Sequence, residues 1–248
     1  MSTIKKISKS ILLKFEDREI TLPKELKENI KVFWGNAIKE NPNLYNGQDY
    51  VVEAVNETKE NIEMIVTKSN YAHYLYDERV GIKEEKYRCC TPWGGILLLT
   101  KDNYFVIGEM NNTTSMPYCL QISGGGIDCS DINNGIIDID INIKRELKEE
   151  MNLNLEDIKY KIQYIEYPDE SRNAYGFLAI GNIDKTKEEL KKHFKEYKEY
   201  LLSNNLELEF NKLVFLSKKN AVQELDNMNN PKRPYLRELV NKAMELYS

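Results

Sequence analysis

Ile139, Ile143, Leu147 and Met151 recur every fourth residue and lay an apolar stripe along one side of a helix. Glu146, Glu149 and Glu150 stand at i, i+3 and i+4 in the same stretch. At about 100° per residue these three fall within an arc of roughly 100° beside that stripe. The fold must therefore bury one side of this helix while turning the adjacent, acidic side toward a cleft. Like charges so placed repel by a few tenths of a kcal/mol per pair, roughly, in an isolated helix. A divalent cation on that face reverses the sign. Hard oxygen ligands suit Mg²⁺, Mn²⁺ or Ca²⁺ rather than zinc. The plainer alternative is a solvated Lys/Glu face, of which this chain has several.

What precedes and follows the helix narrows the choice. Asn152 sits where it should stop, and Asn tolerates the left-handed conformation that ends helices. Upstream, Tyr118-Cys119-Leu120-Gln121-Ile122 reads as a strand running into Ser123-Gly124-Gly125-Gly126. A triple glycine there is expected to form a turn and to let main-chain carbonyls approach a ligand or ion.

The chain has 248 residues, enough for one large or two small domains. With 35 Lys and Arg against 40 Asp and Glu, its net charge is −5, which does not favour a nucleic-acid partner. No run of roughly 18 apolar residues is present, so no membrane span is expected. The Ile11-Leu12-Leu13 triplet is too short for the apolar core of a signal peptide. Cys89, Cys90, Cys119 and Cys129 form no C-x-x-C pair, and neither His73 nor His193 lies near them in sequence. Zinc is therefore not expected, and buried free thiols in a reducing cytoplasm are the simplest account.

Hydrophobic periodicity divides the chain near residue 85, into an N-terminal accessory domain over 1–85 and a larger domain over 86–248. In the first part Ile11 to Phe15 reads as a strand. Leu26, Ile30, Phe33, Trp34, Ala37 and Ile38 make an amphipathic helix behind Pro23. Tyr50–Val55 and Ile62–Thr67 read as a hairpin. In the second part, strands are expected over 95–100, 104–110, 158–167, 174–183 and 207–216. Thr186-x-x-Glu189 reads as a capping box opening a helix with Leu190, Phe194, Tyr197 and Leu201 on one face. Residues 221–225 and 235–247 read as short closing helices. This order predicts a mixed-sheet α/β sandwich.

Arg145-Glu146-Leu147-Lys148-Glu149-Glu150, together with Gly125, resembles the signature of the Nudix hydrolase family, G-x5-E-x7-R-E-U-x-E-E-x-G-U with U aliphatic. Three departures are visible. Asp131 stands at the first glutamate, thirteen rather than seven residues separate it from Arg145, and Asn152 replaces the last glycine. The six extra residues, around Asn133-Asn134-Gly135, most simply lengthen a loop. The resemblance implies an α/β/α sandwich and Mg²⁺- or Mn²⁺-dependent hydrolysis of a nucleoside diphosphate linked to another moiety. It further implies Glu146, Glu149, Glu150 and the Gly124 carbonyl as metal ligands. Glu146 is alternatively the base that orients water, and Arg145 holds the carboxylates in place.

The Asn41–Tyr50 and Thr67–Leu75 stretches, with Asn152-Leu153 closing the box, are similar to a Nudix subgroup with an extra N-terminal domain that includes UDP-glucose pyrophosphatases. That likeness implies a UDP-sugar substrate giving UMP and a sugar 1-phosphate. ADP-ribose or another ADP-linked compound is the alternative substrate, and a non-catalytic nucleotide-binding module the alternative function.

Four further groups complete the expectations. Glu207 and Glu209 alternate with Leu206 and Leu208, so they share a sheet face, either as an added acid or as the solvent side of an edge strand. Tyr71 and Tyr74 are candidates for base stacking, with domain packing the plainer reading. Arg172, in the polar Asp169–Asn173 loop, is a candidate to meet a phosphate bidentately. His73 is expected to be a hydrogen-bonded structural residue.

Overall fold

The computed structural model describes residues 3–42, 44–114, 116–169 and 172–247. Asn43, Glu170 and Ser171, which belong to motifs noted above, lie outside the described residues.

The chain begins with β1 (Thr3–Lys6), β2 (Ser10–Glu19), α1 (Lys24–Glu40), β3 (Gln48–Glu57), β4 (Asn61–Asn70) and α2 (Tyr71–Arg79). It continues through β5 (Thr91–Thr100), β6 (Tyr104–Met110), β7 (Leu120–Gln121), β8 (Ser123–Gly126), β9 (Ile132–Asn133), β10 (Ile136–Ile137) and α3 (Ile139–Met151). It closes with β11 (Ile158–Tyr167), β12 (Ala174–Ile183), α4 (Lys187–Ser203), β13 (Phe210–Ser217), α5 (Ala221–Asp226) and α6 (Leu236–Leu246).

The larger sheet runs β1-β11-β12-β5-β6-β13, with β7 on β6 and β8 on β5. Its central β12–β5 pair is parallel, Ala174 opposite Thr91 through Ile183 opposite Thr100. Both strands are buried almost end to end, as strands covered on both faces must be. One face packs Ile96 and Leu98 against Ile143 and Leu147 of α3 and Leu190 and Phe194 of α4. The other packs Leu97, Leu99 and Phe105 against Leu225 of α5 and Leu236, Leu239 and Val240 of α6. The mixed α/β/α sandwich is thus the expected fold class.

The smaller sheet runs β3-β4-β2-β10-β9. The two sheets exchange strands: β1 joins the larger one through β11, while β10 pairs with β2, Ile136 opposite Lys14. The residues expected merely to lengthen a loop before α3 therefore form the β9–β10 hairpin. Asn134 and Gly135 turn it with φ of 49° and 75°, the double positive φ of a two-residue turn matched to strand twist.

Three more local expectations need correction. Ser123–Gly126 is a strand, Trp93–Ile96 opposite Gly126–Ser123, and not a turn, because two glycine-bearing strands approach there without side chains between them. Residues 207–209 precede the last strand, which starts at Phe210, so Glu207 and Glu209 share no sheet face. Cys129 is exposed, whereas Cys89, Cys90 and Cys119 are the buried thiols expected. Among the described residues no helix is long and apolar enough to cross a membrane.

Candidate active site

α3 starts under Asp138, whose carboxylate accepts from the amides of Asp140 (2.9 Å) and Ile141 (3.3 Å), satisfying donors a helix start leaves open. It ends at Asn152 in the left-handed conformation, φ 52°. Ile139, Ile143, Leu147 and Met151 are all buried, as the stripe requires. The Tyr197 hydroxyl donates to the Glu149 carbonyl (2.8 Å) and the His193 imidazole Nε2–H to that of Met151 (3.1 Å), so α4 ties down the last turn.

The glycines fix how close β8 comes to this helix. A Cβ on Gly124 would lie 2.2 Å from the Gly94 carbonyl oxygen, and its φ of 149° disfavours any side chain. A Cβ on Gly125 would lie 2.5 Å from the Glu146 carboxylate. Gly94 has the same function on β5, where a Cβ would meet Asn142 Oδ1 at 2.4 Å. The Gly124 amide donates to Glu150 Oε2 (2.9 Å), while Glu150 Oε1 and Ser123 Oγ are buried without a hydrogen-bond partner.

Arg145 organises the opposite border. Its guanidinium donates to both oxygens of Asp131 (3.2 and 3.0 Å), to the Gly126 carbonyl (2.9 Å) and to Glu149 (3.1 Å), and it pairs with Glu146 at 2.8 Å. Asp131 is fully buried and also accepts from Asn142 Nδ2 (3.0 Å) and the Asp128 amide (2.8 Å). Despite the longer spacing, Asp131 thus meets Arg145. The β9–β10 hairpin absorbs the added residues, and the Asp138 amide returns to the Asp131 carbonyl (2.9 Å) at its base.

Glu209 joins the acidic group, while Glu207 is exposed. Burial, then the Glu207 and Glu149 charges, raise the Glu209 carboxyl. Burial pushes Glu146 up to about 7; Arg145 opposes this and Glu209 adds to it. Glu150 is raised well above the usual carboxylate range by burial and then by Glu146. The Glu150 and Glu209 carboxyls lie within hydrogen-bonding reach, so the pair needs a proton or a cation between its oxygens. Of the two candidates for an added acid, Glu209 is therefore the one near α3; strand alternation could not separate it from Glu207, because both lie before the strand and only Glu209 is flanked by buried Leu208 and Phe210.

The donor set is hard oxygen, one of its oxygens is buried without a donor, and the surplus charge is negative, all of which suit Mg²⁺ or Mn²⁺. Among the described residues, no three acidic, His or Cys side chains converge on one ion-sized point in this conformation. Closing a shell thus requires side-chain rotation, which the half-exposed Glu149 is free to make.

The residues assigned to substrate lie elsewhere. Arg172 stacks over Trp93 (4.4 Å) and Tyr235 (5.3 Å) and pairs with buried Glu166 (3.0 Å). Tyr74 lines the cleft that Arg172 enters. Tyr71 packs edge-on against Trp34 and stacks on Tyr74. His73 is buried: its Nε2–H donates to the Tyr87 carbonyl (2.9 Å), which leaves Nδ1 to accept from Ser69 Oγ (2.8 Å), a structural role as expected.

No protein-family model matches this chain, and no curated protein matches it. Among solved structures it is similar to the NUDIX domain of NrtR from Shewanella oneidensis, complexed with ADP ribose, at 9% identity and a TM-score of 0.44, covering 73% of this chain and 100% of that one. It is also similar to an Ap4A hydrolase of C. elegans at 12% identity and a TM-score of 0.41, covering 63% of this chain and 97% of that one. DR0079 of Deinococcus radiodurans is similar at 12% identity and a TM-score of 0.41, covering 61% and 82%.

Proposed function

We propose that this chain is a Nudix-type pyrophosphohydrolase dependent on Mg²⁺ or Mn²⁺, cleaving a nucleoside diphosphate linked to another moiety. A UDP-sugar is the leading substrate, giving UMP and a sugar 1-phosphate. Residues 1–85 are its accessory domain and 86–248 its hydrolase domain. The supporting observation is the packing of Glu146 and Glu150 against Gly125 and Gly124, with the charges of Glu149 and Glu209 near enough to act on them and Glu150 Oε1 buried without a well-formed hydrogen bond. A site built only for stability would not crowd two buried carboxylates against a strand stripped of side chains.

The assignment of roles follows the family resemblance. Glu146, Glu149, Glu150 and the Gly124 carbonyl would hold the cation. When bound, that ion neutralises charge on the phosphates and makes a bound water more acidic. Glu146 orients the attacking water from its place against Gly125. Arg145, anchored by Asp131, positions Glu146 and stands at 3.1 Å from Glu149, whose rotation would complete the shell. Arg172, Tyr71 and Tyr74 face the rest of the substrate.

The test is hydrolysis of UDP-, ADP-, GDP- and CDP-linked compounds with Mg²⁺ or Mn²⁺, both products identified by mass. Glu149→Gln is expected to abolish turnover while leaving the circular dichroism spectrum unchanged. Undiminished turnover by that variant would refute the role of Glu149. Preference for ADP-linked compounds would replace the UDP-sugar assignment, and absence of any metal-dependent turnover would leave a nucleotide-binding module.

A further inference from the structure

A second polar cavity, of about 360 Å³, opens between α2 and the loops of the larger sheet. Arg79, Arg88, Arg172 and Arg233 line it, together with Tyr74 and Asn173. The four arginines come from the end of α2, the segment before β5, the β11–β12 loop and the loop before α6, so only the folded chain assembles them. Two acids share the lining, and of these Asp77 pairs, among the described residues, only with Arg88. Asp77 is buried and already accepts from the amides of Ile82 (2.9 Å) and Cys89 (2.8 Å) and from Asn173 Nδ2 (2.9 Å). Arg88 Nε stands 3.8 Å from it. Glu78 accepts from the Tyr74 hydroxyl at 3.4 Å.

Among the described residues, no carboxylate pairs with Arg79 or Arg233. Arg233 uses Nε alone, donating to Gln121 Oε1 (3.0 Å), which positions its guanidinium while leaving both terminal nitrogens for a ligand. Arg172 is held by its stacking on Trp93 and Tyr235 and by its ion pair with Glu166 (3.0 Å). With Arg88 and Arg172 each beside a carboxylate, Arg79 and Arg233 are the two guanidinium groups of the cleft whose unmet need is an anion. Arginine meets phosphate through paired, charge-assisted hydrogen bonds, and fixing its side chain in advance lowers the entropy lost on binding.

We infer that this cavity is an anion-binding site for a phosphate group of a small molecule. Gln121, which anchors Arg233, lies three residues before Gly124. At about 3.3 Å per residue of extended chain, the Gln121 backbone, whose side chain anchors Arg233, stands at most roughly 10 Å from Gly124. On the hydrolase reading, that distance lets one extended ligand reach both places; the anion site itself does not depend on that reading.

The test is calorimetric titration of the full-length protein with inorganic pyrophosphate in the presence of EDTA. Without metal the four carboxylates repel the probe, so binding reports the arginines. The wild type is expected to bind one equivalent, more weakly as salt rises. Arg79→Ala/Arg233→Ala is expected to weaken binding at least tenfold, and Arg79→Lys/Arg233→Lys to recover part of it. Glu199→Gln, on the exposed side of α4 and outside both sites, is expected to bind as the wild type does. No binding by the wild type, or equal binding by the double-alanine variant with an unchanged melting temperature, would overturn the inference. If metal-dependent turnover is found, competitive inhibition of it by the probe identifies the anion as part of the substrate, and non-competitive behaviour identifies a separate ligand. Absence of metal-dependent turnover in the wild type, with pyrophosphate binding retained, would count against the hydrolase alone.

Discussion

Two positions show how single residues set the chemistry of this molecule. Gly125 leaves room for the Glu146 carboxylate, which would sit 2.5 Å from an added Cβ. Gly125→Ala is therefore expected to displace Glu146 and cost about 1–3 kcal/mol in stability, read from urea unfolding. An alanine variant as stable as the wild type would mean that the carboxylate moves freely. Asp49 makes a different point. Burial pushes its carboxyl up to about 6, against the pull of the Tyr50 amide, which donates to it at 2.8 Å. Unfolded, it titrates near pH 3.9, roughly. Between these values the folded state holds a proton that the unfolded state has lost, so stability falls as pH rises from about 4 to about 6. Asp49→Asn removes that loss and can keep the acceptor. Its melting temperature is expected to match the wild type at pH 4 and exceed it above pH 6. A constant offset across that range would rule out the titration of Asp49 as the cause.

At the scale of elements, legibility followed locality. α3 was readable because its stripe, its end at Asn152 and its acidic arc all lie within one short stretch, and the Thr186–Glu189 capping box gave the start of α4 for the same reason. The amphipathic spacing likewise placed α1. Ser123–Gly126 was not readable as a strand, since glycine has low strand propensity and its pairing depends on Gly94 and Gly95 across the sheet. Glu209 and Arg172 were named as candidates, but which partners they meet, and the grouping with Arg79, Arg88 and Arg233, were obscure because those neighbours come from distant segments. The β9–β10 hairpin is the instructive miss: Asn134-Gly135 carries a strong hairpin signal, but its strands are only two residues each and exist because β2 supplies a third. Gly135 has φ of 75°, and a Cβ there would meet only the Phe15 carbonyl oxygen at 3.7 Å, an ordinary contact, so Gly135→Ala isolates backbone strain from steric clash. It is expected to cost about 1–2 kcal/mol. Because the hairpin leads from Asp131 to α3, the same change should reduce metal-dependent turnover more than it reduces the binding of pyrophosphate without metal. Equal effects on the two would show that the hairpin does not position Arg145.

For the whole molecule, the distribution of charge matters more than its sum. The net charge of −5 conceals an acidic group on α3 and a group of arginines in the cleft beside α2. The acidic group is a cost to folding: Glu150 is 2% exposed, and burial and Glu146 both oppose its charge. On the proposed metal role, function and stability are opposed at this residue. Glu150→Gln removes the charge at nearly constant volume, and its amide can donate to a neighbouring carboxylate. The variant is expected to melt higher than the wild type when metal is absent. Mg²⁺ should reverse the order. A ligand at a hundred times its dissociation constant stabilises the folded state by about 2.7 kcal/mol, which for a chain of this size corresponds to roughly 5–10 °C. The wild type should gain that shift with Mg²⁺ and lose it on chelation, while Glu150→Gln should not respond. Thermal melts of both proteins, with and without Mg²⁺, decide the matter. A variant less stable than the wild type under chelation would mean that the Glu150 carboxyl is held by a shared proton rather than strained by charge. A variant that still responds to Mg²⁺ would place the ion elsewhere on the acidic face.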